Sequence, residues 1–537
     1  MTALVWVAGA PLLAALAVAA VPAVCPAWRR TLALLGSGGA LAALAVVGVS
    51  FDPVLWQVQQ RARAPWIPVF GATWDVGVDG LSLPFLAAAG LGVFLTLVCR
   101  PPAAPDAATT GPALEVLLVC QASLAGLFMA RDMLLLWLCW ALYLTCCAFG
   151  VGAGGGSRGA RAATRLGVSG AASLALLLGL FVSQAAAVKS LTGAWSFDYE
   201  TWTHLMLPLS QQVRSLVCLL GALGVALPLL PVAAWWQDAH EAAPAAGAVM
   251  LVLGPGLYGL VRLAAPLFPL ASFHALPAVG ALAGATALVA ACVAAFGGAF
   301  RDRLGWVALG QGALMVLGVT SLTAEGLLGA LTLFVVATGA FIGLLSFETL
   351  RGARMPSAPE APAAAPEAGR AGPRVALTFA LALALVPGLG GFTAAVLTLS
   401  GVASADRSGR ALEVTTPAYG VDPLWLLALG LLGAGGLGMA LVRAVRALPS
   451  AAWAWPGRRG WPLAVWLAVL VALGLRPQPC LEGVRASLNR YQTDFSRRLQ
   501  HAGLQPEAPA HLFPDARTPL AMARPPGPGT RPCPAAR

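Results

Sequence analysis

The sequence predicts an all-α membrane protein that crosses the bilayer many times. Of its 537 residues, 58% are hydrophobic and 10% are charged, whereas an ordinary soluble domain carries about 25% charged residues. Mean hydropathy is +0.79. The apolar residues gather into fourteen runs, each able to cross a hydrocarbon core of ~30 Å, which takes roughly 20 helical residues.

The runs begin near Ala3, Thr31, Leu81, Ala113, Met133, Leu166, Val213, Ala245, Ser272, Leu304, Gly326, Val375, Pro423 and Trp461. The first, Ala3 to Val24, lacks a basic lead and is longer than a signal-peptide core, so it reads as a retained helix. Glu115 and Glu325 open their spans, where a carboxylate suits the positive end of the helix dipole. The sole lysine, Lys189, falls between two apolar runs and reads as a loop residue. Most of the ten cysteines lie inside runs and none forms a CxxC pair, so they read as small apolar fillers rather than metal ligands or disulfides.

Residues 1–350 therefore hold spans one to eleven, 351–373 form a Pro- and Ala-rich linker, and 374–476 hold spans twelve to fourteen. Over 477–505, Leu481, Val484, Leu488, Tyr491, Phe495 and Leu499 recur at spacings of three and four, which predicts an amphipathic helix. Such a helix suits the membrane surface or a neighbouring subunit. Residues 506–537 are Pro-rich and read as disordered.

A net charge of +11 reflects membrane topology here rather than a nucleic-acid partner. With the N-terminus outside, the cytoplasmic loops hold sixteen arginines, among them Arg29, Arg30, Arg161 and Arg165, and the opposite loops hold eight basic residues, among them Arg61, Arg131 and Arg262. The positive-inside bias then places both termini on the periplasmic side of a bacterial inner membrane. Nine further arginines in the C-terminal tail pull the other way.

Three stretches carry a resemblance: WIPVFGATWDVGVDGLSLPF from Trp66 to Phe85, PLLPVAAWWQDAHEAAPAAGAVML from Pro228 to Leu251 followed by YGLVR from Tyr258, and PGLGGFTA from Pro387 to Ala394. They resemble the antiporter-like M subunit (chain 4 type) of bacterial respiratory complex I, the proton-translocating NADH:quinone oxidoreductase. Weaker agreement adds Ala130 to Leu144, Arg161 to Arg165, Thr338 to Arg351 and Gly474 to Leu488 in the same order. The resemblance implies fourteen helices with two inverted five-helix repeats, spans four to eight and nine to thirteen, broken near Pro228 and Pro231 and near Pro387. It implies partners among other membrane-arm subunits as well as the lipid bilayer. It implies no cofactor in this chain, which has no flavin, iron–sulfur or nicotinamide motif.

In such subunits, lysines and glutamates at mid-membrane depth relay protons, and an intramembrane charge is functional by default. Carried over by position, the acidic position of span five falls on Ala141, the lysines of spans seven and eight on Ala226 and Gly254, and the lysine of span ten on Leu304 or Gly305. The histidine of span eleven falls on Thr338 and the glutamate of span twelve on Ala395. These positions are expected to line a strip with few titratable groups. Asp79, Asp132, Asp238 and His240 keep the family's residue types near helix ends, where they suit helix capping and loop fixation or, alternatively, proton uptake and release. Arg165 replaces a lysine and cannot titrate usefully. The function implied is a membrane-arm subunit contributing to proton translocation; a catalytically silent paralogue, or a subunit of a related cation/proton antiporter or membrane hydrogenase, is the alternative.

Overall fold

A computed structural model describes residues 2–22, 24–100, 113–153, 156–242, 254–297, 300–352, 371–383, 386, 389–410, 423–446, 461–475 and 478–501. The helices that open the chain are α1 (Thr2–Ala20), α2 (Pro26–Val49), α3 (Ser82–Cys99), α4 (Leu114–Met129), α5 (Met133–Gly152) and α6 (Gly156–Thr192). A short α7 (Tyr199–Thr203) leads into α8 (Leu209–Leu223), α9 (Trp235–Ala242), α10 (Pro255–Gly259) and α11 (Ala265–Leu267). The rest are α12 (Pro269–Phe296), α13 (Phe300–Thr320), α14 (Ala324–Gly352), α15 (Ala371–Leu383), α16 (Gly390–Arg410), α17 (Pro423–Arg446), α18 (Trp461–Leu475) and α19 (Gln478–His501). Among the described residues ten helices are long and apolar enough to cross a membrane, and three more apolar helices are shorter. The expectation of an all-α polytopic membrane protein holds.

The breaks sit in spans seven and twelve. The seventh span ends its helix at Ala226 and resumes only at Val232, because Pro228 and Pro231 can neither donate a backbone N–H nor continue a helix. The backbone freed there is taken up by a neighbour: the Leu230 N–H donates to Thr286 Oγ1 of α12 at 3.2 Å. The twelfth span stops at Leu383 and restarts at Gly390. Gln311 Nε2 of α13 donates to the terminal Leu383 carbonyl at 3.0 Å. Pro387, expected to mark that break, lies outside the described residues. Counted as runs of five spans, the broken member is the fourth in each run, and because five is odd the second run enters the membrane from the opposite side, as inverted repeats require.

Helices in lipid associate by close packing rather than by the hydrophobic effect, which favours small residues at the contacts. Gly433 and Gly436 of α17 lie so close to Ala287 and Ala291 of α12 that an added Cβ would come within 2.9 Å of each alanine Cβ.

Two local expectations change. Lys189 is in the last turn of α6 rather than in a loop. The helix outruns its apolar stretch and stops at Gly193, whose φ of +79° and N–H to the Lys189 carbonyl form a left-handed cap. The Lys189 ammonium stacks over Trp195 at 4.7 Å. The loop before α3 that carries Arg61 is a β-hairpin of β1 (Gln59–Ile67) and β2 (Ala72–Val78), with Arg63 opposite Asp75. Its tight turn ends at Gly71, where φ is +64° and the Trp195 carbonyl leaves no room for a side chain.

Helix α19 packs across the hairpin face of the bundle. Val484, Leu488 and Leu499 are buried, and the Gly80 N–H donates to Ser487 Oγ at 3.1 Å. The linker 351–373 lies outside the described residues except at 351–352 and 371–373, and the tail 506–537 lies wholly outside them.

Candidate functional site

The hairpin, the α4–α5 and α6–α7 connections, the π-helical turn Leu260–Ala264 that carries Arg262, and α19 meet on the hairpin face, and their charges form one largely buried network. Asp79 accepts from the Ser82 N–H at 2.9 Å while its own N–H donates to Ser82 Oγ at 3.0 Å, fixing the start of α3. Its second oxygen receives Arg262 Nη1 at 2.6 Å and lies 3.5 Å from Arg131 Nη1. Both guanidiniums stack on the Tyr199 ring, at 4.9 Å and 4.8 Å. Asp132 is the N-cap of α5: Oδ1 accepts from the N–H groups of Leu134 and Leu135, and Oδ2 accepts from the Thr73 N–H at 2.8 Å. Burial raises the Asp132 carboxyl above its ordinary pKa, and the N–H donors of Thr73, Leu135 and Leu134 oppose the rise. Nearby, Arg61 binds Asp75 and also reaches Asp198 and Glu200. The Asp75 hydrogen bond raises the Arg61 guanidinium above its usual value despite the cost of burial.

The opposite face is simpler. Asp238 of α9 receives Arg165 Nη1 of α6 at 2.9 Å, with Arg161 4.0 Å away. His240, two residues on, is 1% exposed, and its ring lies 5.4 Å from that of Trp236. Trp236 Nε1 donates to the Gly305 carbonyl at 2.8 Å. A Cβ on Gly305 would lie 3.0 Å from the His240 ring, so the glycine lets α13 approach that ring closely.

Between the two faces the centre is aromatic. Phe85, Phe128, Tyr258 and Phe334, from α3, α4, α10 and α14, are each at most 2% exposed, with centroids 4.6 to 5.3 Å apart in four contacts that include Phe85 to Phe334 at 4.6 Å and Phe128 to Tyr258 at 5.0 Å. Tyr258 satisfies its hydroxyl on the Phe128 carbonyl at 3.0 Å. Gly254 has φ +64°, and a Cβ there would lie 2.5 Å from the Phe334 ring, so the ring occupies the space a side chain at 254 would need. Ala226 is buried beside Gly256, whose Cβ would meet the Ala226 carbonyl at 2.5 Å. Thr338, 2% exposed, is one helical turn beyond Phe334, and Ala395 is buried on α16. Ala141, in contrast, is partly exposed, while Trp140 beside it faces inward and donates to Ser173 Oγ at 3.0 Å. Among the described residues the buried charged side chains are Asp75, Asp79, Arg131, Asp132, Asp198 and Arg262, all of them on the hairpin face.

Sequence reasoning singled out Asp79 and Asp132 but took Arg131 and Arg262 only as loop charges. Unlike charges gathered in four loops were the available signal; which would pair depended on the fold.

Residues 130–411, more than half of the chain, match the family model described as NADH:quinone oxidoreductase/Mrp antiporter, TM. The chain belongs to this family. It is 31% identical over 347 residues to NAD(P)H-quinone oxidoreductase chain 4 1 of Synechococcus sp., covering 63% of each chain. A chain 4 1 relative from Nostoc sp. is 28% identical over 449 residues, covering 78% of each. In shape this family member is similar to a chain of respiratory complex I from Thermus thermophilus with bound NADH, at a TM-score of 0.73 and 23% identity, covering 92% of this chain and 99% of that one. That likeness speaks for the fold alone.

Proposed function

We propose that this chain is a membrane-arm subunit of a proton-translocating NADH:quinone oxidoreductase, bound to other membrane-arm subunits in a bacterial inner membrane with both termini periplasmic. The family match across residues 130–411 carries this reading, since it spans both broken helices. The orientation rests on the arginine bias, strengthened because Arg61, Arg131 and Arg262 on the hairpin face are held by carboxylates. Asp79, Asp132 and Asp238 act as caps and clasps that hold helix ends. In this division residues 1–350 and 374–476 form the membrane body, 477–505 lie along its periplasmic face, and 351–373 link the parts on the cytoplasmic side.

Purifying the tagged chain from its native membranes in mild detergent should recover further membrane subunits together with NADH-driven quinone reduction. Recovery of the chain alone, with no reductase activity, overturns the assignment. A second reading, that the subunit keeps the fold without relaying protons, is favoured by the four-ring centre. A water chain needs polar partners at every step, and coupling needs a group whose charge changes; the three phenylalanines supply neither, and the Tyr258 hydroxyl is engaged by the Phe128 carbonyl.

A further inference from the structure

A cavity of about 470 Å³ lies on the hairpin face between the loop network and α19. Five guanidiniums line it, against three carboxylates. Two more carboxylates, Asp75 and Asp198, stand behind Arg61 and balance it locally, so the positive excess falls toward Arg131, Arg262 and Arg498. The Arg131 side chain is 7% exposed; its Nη2 donates to Glu200 at 3.3 Å and its Nη1 lies 3.5 Å from Asp79, but its Nε has no hydrogen-bond partner among the described residues. Arg498 donates to the neutral carbonyl of Pro266. The nearest acid on its own helix, Asp494, is taken by Arg490 at 2.7 Å and Arg497 at 3.6 Å. Burial lowers the Arg498 guanidinium below its ordinary pKa, the mark of a cation short of compensating charge.

We propose that this cavity binds a phosphate-bearing anion between Arg131 and Arg498, with the phosphodiester of an anionic phospholipid and free inorganic phosphate as its two sources. Planar guanidiniums with spare donors suit phosphate oxygens, and a buried donor left unmatched is costly. The volume is that of a small-ligand pocket, within roughly 300–1,000 Å³. Apolar walls from Leu81, Tyr491 and Phe495 favour the lipid source. So does Trp56, which stacks under Arg490 at 4.3 Å in the manner of an interfacial aromatic. The site adjoins the aromatic centre through Leu81, Arg131 and Arg262, but binding there does not depend on whether protons pass between the rings.

The test uses the full chain, delipidated in detergent and followed by thermal unfolding while phosphatidylglycerol, phosphatidylcholine or sodium phosphate is added. Phosphatidylglycerol should raise the unfolding midpoint, and Arg498→Gln should require about tenfold or more of it for the same shift. Arg497→Gln, on an exposed side chain, should behave as wild type. If sodium phosphate alone reproduces the shift, and loses it in Arg498→Gln, the free anion is the occupant; if only phosphatidylglycerol does, the lipid is. No shift with either, an equal shift with phosphatidylcholine, or a shift undiminished in Arg498→Gln overturns the proposal. Should Arg498→Gln fail to fold, native mass spectrometry of the wild type decides: a retained phosphatidylglycerol or phosphate supports the site, and a bare chain refutes it.

Discussion

Asp79 holds Arg262 at 2.6 Å with both side chains under a tenth exposed, so each charge depends on the other. Removing one partner of such a buried pair leaves an unmatched charge and costs about 3–5 kcal/mol. We expect Asp79→Ala to lower the thermal unfolding midpoint sharply and the Asp79→Leu, Arg262→Leu double variant to recover part of the loss; a double variant worse than the sum of the singles contradicts the pairing. Gly254 makes a different demand. Gly254→Ala should destabilise on two counts, a left-handed φ that costs an alanine about 1–2 kcal/mol and contact with Phe334. Phe334→Leu should relieve only the second, and full rescue by it would show that the backbone is unstrained. Asp132→Asn keeps an acceptor for α5 but weakens the Thr73 contact, at a cost of about 1 kcal/mol. Capping residues were legible in the sequence because a cap is local: Asp79 and Asp132 directly precede apolar runs. Phe334 was not, because nothing in a run of apolar residues says which ring fills which gap.

At the scale of elements, the positions of the spans were legible because each is a long apolar run, and the break at Pro228 because proline cannot continue a helix. The hairpin was hidden: QQRARAPWI and ATWDVGV alternate only weakly, and pairing of Arg63 with Asp75 needs a turn whose glycine is explained by Trp195, far along the chain. Lys189 was misplaced because hydropathy marks where a membrane ends rather than where a helix does. The seat of α19 depends on Gly80, where an added Cβ would lie 2.3 Å from the Gly483 carbonyl, a backbone atom with no freedom to yield. Gly80→Ala is therefore expected to lift α19 and speed its cleavage by protease several-fold while the spans stay intact. Unchanged cleavage means that α19 is held elsewhere.

For the whole molecule, charge is sorted by depth: a dense network on the hairpin face, an arginine clasp on Asp238 at the other, and four packed rings between them. The family could be read from motifs that survive in order, whereas the centre could be read only as a set of missing charges, since the sequence does not say what fills the vacated space. The proposed orientation puts the 353–370 segment in the cytoplasm, and a reporter inserted there should be active only as a cytoplasmic fusion; periplasmic activity inverts the topology. The most direct test is proton uptake per electron by the host oxidoreductase reconstituted in vesicles, comparing wild type with Asp132→Asn and Asp238→Asn in this chain. If these carboxylates hold helices, both variants reduce the amount of assembled complex and leave the ratio unchanged. A normal amount of complex with a clearly lowered ratio in either variant means that protons do pass through this subunit, and the closed centre is wrong.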